Sequence, residues 1–233
     1  MGCACKHLKG LFPKCVSYNR FVESEKSVLL PLTIFIKNVL RGTCTGISFV
    51  DSTPLRVCRN QRILIHKTFE GPAERGKRSM GWFFGFKLHL IINGRGEILN
   101  FMFTPGNVDE REPLKQGRLL KDIKGKLCAD KGYIGQALLE NLSLNGVQLV
   151  TKAKNNMRNS LMSMADRILI RKRALIETVN DELENIEQIE HSRHRSVNDF
   201  VANALSAIAA YCFFEKKPAI DIDPINDGQL NLF

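Results

Sequence analysis

Two short apolar stretches each run straight into an aspartate: Ile47-Ser48-Phe49-Val50-Asp51 and Lys126-Leu127-Cys128-Ala129-Asp130. An acid delivered by a buried strand needs a reason, because an ionised carboxylate loses hydration that only a partner or a cation restores. Pro54 disfavours continuation of the first strand and Gly132 punctuates the second, so both acids read as strand ends. Further on, Asp166 to Ile189 carries apolar residues at 168, 175, 179, 183 and 186, the spacing of an amphipathic helix. Glu177, Asp181 and Glu184 share a face of that helix away from the apolar stripe. Two strand-end aspartates followed by an acid-bearing helix have the form of a three-carboxylate metal site on an α/β scaffold. Divalent ions such as Mg2+ take oxygen ligands, and a pair about 3.5 to 4 Å apart can clamp the attacking and leaving oxygens of a phosphodiester. Without a cation, each close pair of acids repels by about 4 kcal/mol at an effective dielectric near 20. A strand-end Asp is also the ordinary residue of a turn, and a row of acids on a helix is ordinarily solvated, so spacing alone leaves both readings open.

Around these acids the chain reads as strand, hairpin, helix, strand, helix, strand. Trp82 to Ile92 and Glu97 to Thr104 form a β-hairpin about the turn Asn93-Gly94-Arg95-Gly96. Arg111 to Ile123 is expected to be helical, as is Gln136 to Leu144, and Val147 to Lys152 is expected to be a strand. Before Asp51, Phe21 to Leu40 reads as one or two helices interrupted around Pro31. A mostly apolar helix is expected from Val197 to Phe214, and the tail after Pro218 to be poorly ordered. A loop rich in Arg56, Arg59, Arg62, Arg75, Lys77 and Arg78 separates the first strand from the hairpin.

At 233 residues the chain fits one large domain or two small ones. The 44% hydrophobic and 25% charged residues exclude a disordered chain, and the net charge of +10 favours a polyanionic partner. The longest uncharged run, Phe200 to Phe214, falls short of the ~20 residues of a membrane span, so no membrane is expected. The start Met-Gly-Cys-Ala-Cys-Lys carries neither a myristoylation signal nor a secretory leader, which points to the cytoplasm. Seven cysteines, an odd number, read as free thiols of a reducing compartment. Cys3, Cys5, His7 and Cys15 lack a standard zinc spacing.

Phe49-Val50-Asp51-Ser52-Thr53, His66-Lys67, Gly81-Trp82-Phe83-Phe84-Gly85-Phe86-Lys87-Leu88-His89, Thr104-Pro105-Gly106-Asn107-Val108-Asp109, Asp130-Lys131-Gly132-Tyr133 and Ile189-Glu190-His191-Ser192-Arg193-His194-Arg195-Ser196 follow one another along the chain. In that order they resemble the DDE transposases of bacterial insertion sequences, above all the insertion-sequence nine-eight-two family. The resemblance runs from about Ser17 to Pro218. It implies an α/β, RNase H-like (retroviral-integrase-like) mixed five-stranded sheet flanked by helices, and two-metal catalysis by Asp51, Asp130 and Glu177. It implies Mg2+ as the cofactor with Mn2+ as a substitute, double-stranded DNA (element ends and target) as the partner, a homodimer assembled on DNA, and a nucleoid-associated place in a bacterial cytoplasm. Of the Tyr-x2-Arg-x3-Glu-x6-Lys pattern of related transposases, Arg173 and Glu177 fit, whereas Ile170 and Glu184 stand where Tyr and Lys are expected.

The resemblance implies that Lys131, Arg171, Lys172, Arg173, His191, Arg193, His194 and Arg195 contact DNA phosphates, whereas by themselves these residues fit a solvated face as well as a DNA contact. His89 could lie near the metals, but a histidine on a strand is more often structural. The expected division is a helical N-terminal remnant over 1–43, a catalytic domain over 44–215 and a tail over 216–233. Relatives carry a further helical segment before the stretch that begins here near Cys5, so a chain starting at Met1 is expected to cut weakly and with little selectivity. The rival readings are a nuclease of the same fold without strand transfer and a shortened, inactive DNA-binding derivative.

Overall fold

The computed structural model describes residues 10–11, 14, 16–65, 67–78, 81–152, 163–190 and 194–220. Its centre is a mixed sheet built on β1 (Ile47–Cys58) and β3 (Gly81–Asn93), antiparallel to each other. The hairpin partner β4 (Ile98–Pro105) pairs with β3 on its far side, while β5 (Gly125–Cys128) and β6 (Val147–Val150) continue the sheet in parallel from β1. The spatial order β4-β3-β1-β5-β6, with one antiparallel half and one parallel half, is the RNase H-like arrangement expected. A sixth strand, β2 (Glu74–Arg78), is added to the five. It pairs with Gly81–Gly85 of β3, and β4 takes over from Phe86, so the two lie end to end along one edge.

Helices cover both faces, as a mixed sheet with parallel strands requires. One face packs α4 (Met164–Lys172), α5 (Ala174–Asn185) and α6 (Val197–Cys212) over Phe49, Leu55, Leu88 and Leu90. The other packs the single turn α2 (Glu112–Lys115) and α3 (Gln136–Leu144) over Val50, Ile91 and Leu127. Along β1, odd residues therefore look toward α5 and even ones toward α3, the period of two that a strand imposes. The N-terminal helix α1 (Tyr18–Phe35) lies against α6.

Local rules failed in five places. β1 runs on through Thr53-Pro54 to Cys58, so Asp51 sits within the strand and not at its end. Beyond Phe49 the strand is paired with β3 alone, and a proline is tolerated where a strand has an unpaired edge. Asp130 lies two residues past the end of β5, at the cap of a 3-10 turn over Lys131–Tyr133. The helix expected over 111–123 is broken by Gly117, whose φ of 73° is the left-handed conformation that ends helices, leaving α2 and a 3-10 turn over Arg118–Leu120. The helix expected over 166–189 is two helices, α4 and α5, separated at Arg173. Pro31, in contrast, does not interrupt α1, whose irregularity comes later as a π turn over Ile36–Leu40. The tail beyond residue 220 and Cys3, Cys5, His7 and Cys15 lie outside the described residues.

The hairpin turn is fastened to the rest of the domain by Tyr211 of α6, fully buried, whose hydroxyl donates to the Gly96 carbonyl at 2.7 Å. Tyr211→Phe leaves that carbonyl without its partner. The expected cost is about 1 kcal/mol of unfolding free energy, read as a lower urea midpoint with unchanged slope.

Candidate active site

Asp51 points from β1 toward α5, the side of Phe49 and Leu55. Its Oδ1 forms an ion pair with Arg173 Nη2 at 3.2 Å, and its Oδ2 accepts from Asn180 Nδ2 at 3.3 Å. The side chain of Arg173 is 17% exposed and that of Asp51 19%, so this ion pair is largely out of water. The same guanidinium forks to Glu177, with Nη1 donating to Oε1 at 2.8 Å. Two of the three candidate carboxylates therefore meet at one cation. The fork exists because the helix breaks at Arg173: α5 restarts at Ala174 and carries Glu177 in its first turn, one turn above the arginine.

Burial pushes the Asp51 carboxyl above its usual range. Arg173, the Ser52 backbone N–H and Arg78 pull it back, and Glu110 pushes it up again. The net upward direction means that the protein's own cations do not fully neutralise this acid.

Asp130 reaches the same row by register. The last pair between β1 and β5 is Phe49 with Cys128, and Asp51 and Asp130 each lie two residues further on. The backbone of Asp130 is still extended (φ −75°, ψ 167°), so neighbouring parallel strands about 4.8 Å apart carry the two acids at one height. Asp130 is exposed. Among the described residues no three His, Cys, Asp or Glu side chains close into a metal-holding group, and the group lying between Asp51 and Glu177 is the Arg173 guanidinium.

The acidic face of α5 is less solvated than its helical wheel suggested. Thr53 Oγ1 donates to Glu184 Oε1 at 2.8 Å, and beyond the helix the Arg56 backbone N–H donates to Glu190 Oε1 at 2.7 Å. The contacts advance together along β1 and α5, Asp51 with Asn180, Thr53 with Glu184, Arg56 with Glu190, so this face lies along the strand. Asn180, 6% exposed, was missed by sequence reading because amphipathic periodicity records only apolar positions.

On the other face of the sheet lies a second polar group around Ser52. Arg78 Nη2 donates to Ser52 Oγ at 3.1 Å and stands 4.0 Å from Glu110. The Tyr133 phenol is pushed well above its ordinary value by burial and by the charges of Asp51 and Glu110. Glu110 was not recognised from sequence, since it sits in a turn between Asp109 and Arg111 with no periodic signal. His89 belongs to this face: it is buried and bonded through Nε2 to Thr104 Oγ1 at 2.8 Å. Its pKa is pushed down to about 4 by burial, with Lys87 and Arg78 adding to the effect, so it is a neutral structural histidine.

The candidate phosphate contacts separate. Lys131, Arg171 and Arg195 are exposed, and Lys172 is half-buried. His194 is half-buried, edge-on to Phe200 at 5.5 Å, and burial lowers its pKa. Arg173 is turned inward to the carboxylates. His191 and Arg193 lie outside the described residues. No helix among the described residues is long and apolar enough to cross a membrane.

A family described as the Transposase DDE domain matches residues 41–197, from just before β1 to the start of α6. No curated protein sequence matches the chain. Among solved structures, the piggyBac transposase synaptic complex with hairpin DNA is similar at 12% identity and a TM-score of 0.49, over 84% of this chain and 53% of that one. The chain thus spans about half the length of that transposase. The catalytic domain of Mos1 mariner transposase is similar at 10% identity and a TM-score of 0.31, over 85% of this chain and 94% of that one. An intasome of simian T-cell lymphotropic virus is similar at 13% identity and a TM-score of 0.32, over 81% and 62% respectively.

The electrostatics generate a stability prediction. A carboxyl whose folded pKa is raised destabilises the fold wherever it is ionised, and this cost is absent below the unfolded pKa of about 3.9. Asp51→Asn keeps the shape and removes the charge. The variant, free of divalent ions, is expected to show a higher urea midpoint than the parent at pH 7, with the gap closing as pH falls toward 4. An equal or lower midpoint at pH 7 would mean that Arg173 and Asn180 already neutralise Asp51.

Proposed function

Because this chain belongs to the Transposase DDE domain family, we propose that it is a DNA transposase of the insertion-sequence nine-eight-two type, cleaving DNA at element ends and joining the freed ends to a target. The observation that carries this reading is the convergence of Asp51 and Glu177 on one guanidinium, with Asp130 in the same row of the sheet.

Asp51, Asp130 and Glu177 would hold divalent ions, Mg2+ with Mn2+ as a substitute. The donor set fits, being all oxygen and containing an acid whose charge the protein leaves incompletely neutralised. Bound there, such ions supply Lewis-acid stabilisation of the attacking and leaving oxygens of a phosphodiester. The chain's own residues do the rest by positioning. Asn180 fixes the Asp51 carboxylate through Oδ2, and β1 and β5 hold Asp51 and Asp130 at one height. Arg173 holds Asp51 and Glu177 together, and with the acids occupied by ions its guanidinium would be available to a DNA phosphate. Lys131, Arg171, Lys172, His194 and Arg195 line the path of double-stranded DNA, on which two copies assemble. No covalent protein intermediate is needed.

A nuclease of the same fold shares every one of these features, so the deciding assay supplies pre-cut ends. Joining of their 3′ hydroxyls to a target duplex identifies a transposase, and cutting without joining identifies a nuclease. Asp51→Asn, Asp130→Asn and Glu177→Gln are each expected to abolish cleavage while duplex binding stays within a few-fold of the parent. Glu184→Gln and Asp181→Asn are expected to keep cleavage, because Gln still accepts from Thr53 and Asp181 is exposed. A dead Glu184→Gln with an active Glu177→Gln overturns the assignment on α5. Chelation of divalent ions is expected to stop cleavage and added Mg2+ or Mn2+ to restore it.

A further inference from the structure

Apart from Arg78, the cationic side chains of residues 56–78 are not used by the site just described. Residues 56–78 carry seven Lys and Arg, at 56, 59, 62, 67, 75, 77 and 78, against two acids, Glu70 and Glu74. The segment therefore contributes half of the chain's net charge of +10. Of these seven, Arg56, Arg59, Arg62, Lys67, Arg75 and Lys77 are exposed, and no ion pair forms between any of those six and an acid among the described residues.

Two of the six are held in place. Gly76, between Arg75 and Lys77 on β2, is buried against Phe83 and the Gly106 carbonyl, which sends both cations to the outer face. There the Arg75 guanidinium stands 4.9 Å, and the Lys77 ammonium 5.7 Å, from the centroid of the Trp82 ring, itself 50% exposed. Trp82 is anchored in turn by Asn60, whose Nδ2 donates to its carbonyl at 2.7 Å. An aromatic face that gathers two cations lowers the entropy they lose on meeting an anion and leaves their outer N–H groups free. Phe84, Phe86, Leu88 and Leu90 belong to the α5 side of the sheet, so by alternation Trp82 lies on the side Asp51 faces. It is eight residues along β3 from Leu90, the partner of Asp51, or about 27 Å at the rise of a strand. At about 3.4 Å per base pair, that separation equals the length of about eight base pairs of duplex.

We propose that Arg75, Lys77 and Trp82, with Arg59, Arg62 and Lys67 around them, form a second DNA surface that takes the phosphate backbone of duplex lying about eight base pairs from the point of cleavage. The surface reads no bases, and its contribution is affinity and direction. It rests on the transposase reading for its ligand, and the test separates the two.

Trp82 is the only tryptophan of the chain, so its fluorescence reports on this surface alone. The full chain is titrated with a random-sequence duplex of about 20 base pairs across a salt series, by anisotropy of labelled DNA and by tryptophan emission. The parent is expected to bind with a steep salt slope and to change Trp82 emission on binding. Arg75→Gln with Lys77→Gln, which removes both charges and leaves polar side chains on the strand, is expected to lower the slope of log K against log salt by about 2, one unit for each phosphate that is no longer neutralised. Glu70→Gln with Glu74→Gln is expected to tighten binding, and serves as the second variant should the first fail to fold. Absence of duplex binding by the parent overturns the DNA reading itself. Binding by the parent with unchanged Trp82 emission, or with an unchanged slope in Arg75→Gln/Lys77→Gln, overturns this surface and leaves the carboxylate site standing. Tightening absent in Glu70→Gln/Glu74→Gln likewise counts against it.

Discussion

The arrangement depends on one unfavourable act, the burial of the Asp51 carboxylate in the middle of β1. Moving an ionised acid out of water costs several kcal/mol unless charge and hydrogen bonds are returned to it. The fold returns them from a single direction. The Arg173 guanidinium and the Asn180 amide both come from the α4–α5 segment, and α5 must therefore lie on β1 at a fixed height. A lysine could neutralise Asp51, but it could not fork to Glu177 in the same plane. The break between α4 and α5 makes this possible, since an arginine placed where the helix restarts can reach down to a strand and up one turn to an acid.

The two faces of the sheet divide the polar work. Toward α5 the strand presents Asp51 and Thr53, each bonded to a side chain of that helix. Toward α3 it presents Ser52, beside Arg78, Glu110 and Tyr133, with His89 and Lys87 on the neighbouring strand. Lys87 donates to the Val108 carbonyl at 2.7 Å and burial lowers its pKa, which ties the β4–α2 loop to the centre of the sheet. That loop brings Glu110, whose charge reaches Asp51 through the sheet and opposes Arg173 there. The candidate site therefore has a reverse side, and its charge balance is set from both.

Elements governed by local rules were legible in the sequence. The hairpin about Asn93 and the helix Gln136–Leu144 stand where alternation, turn residues and amphipathic spacing put them. What was not legible depended on pairing over long distance. Whether Pro54 ends a strand turns on whether the strand's other edge is used, and only the register of β5 decides that. The break at Arg173 has no glycine or proline to announce it. Asp51, Asp130 and Glu177 could be named because their flanking motifs resemble a family. Asn180 and Glu110 could not, being a buried amide on a helix and an acid in a turn, whose roles appear only when Asp51 is seen beside them.

On the proposed reading the site takes a metal and a polyanion and has to remain folded without either, and the position of Arg173 meets this condition. If the acids converged without a counter-ion, their mutual repulsion would be paid for in stability at every pH above the carboxylate range. If a well-solvated lysine or a structural water neutralised them, nothing would couple their release to the substrate. A guanidinium shared by Asp51 and Glu177 does both, because it is a cation that stays with the protein and is also a strong ligand for phosphate. Burial still holds the Asp51 carboxyl above its usual range in spite of Arg173, so its ionised form is not fully compensated. Partial neutralisation is thus the useful state: complete compensation by Arg173 would leave the carboxylates no reason to exchange it.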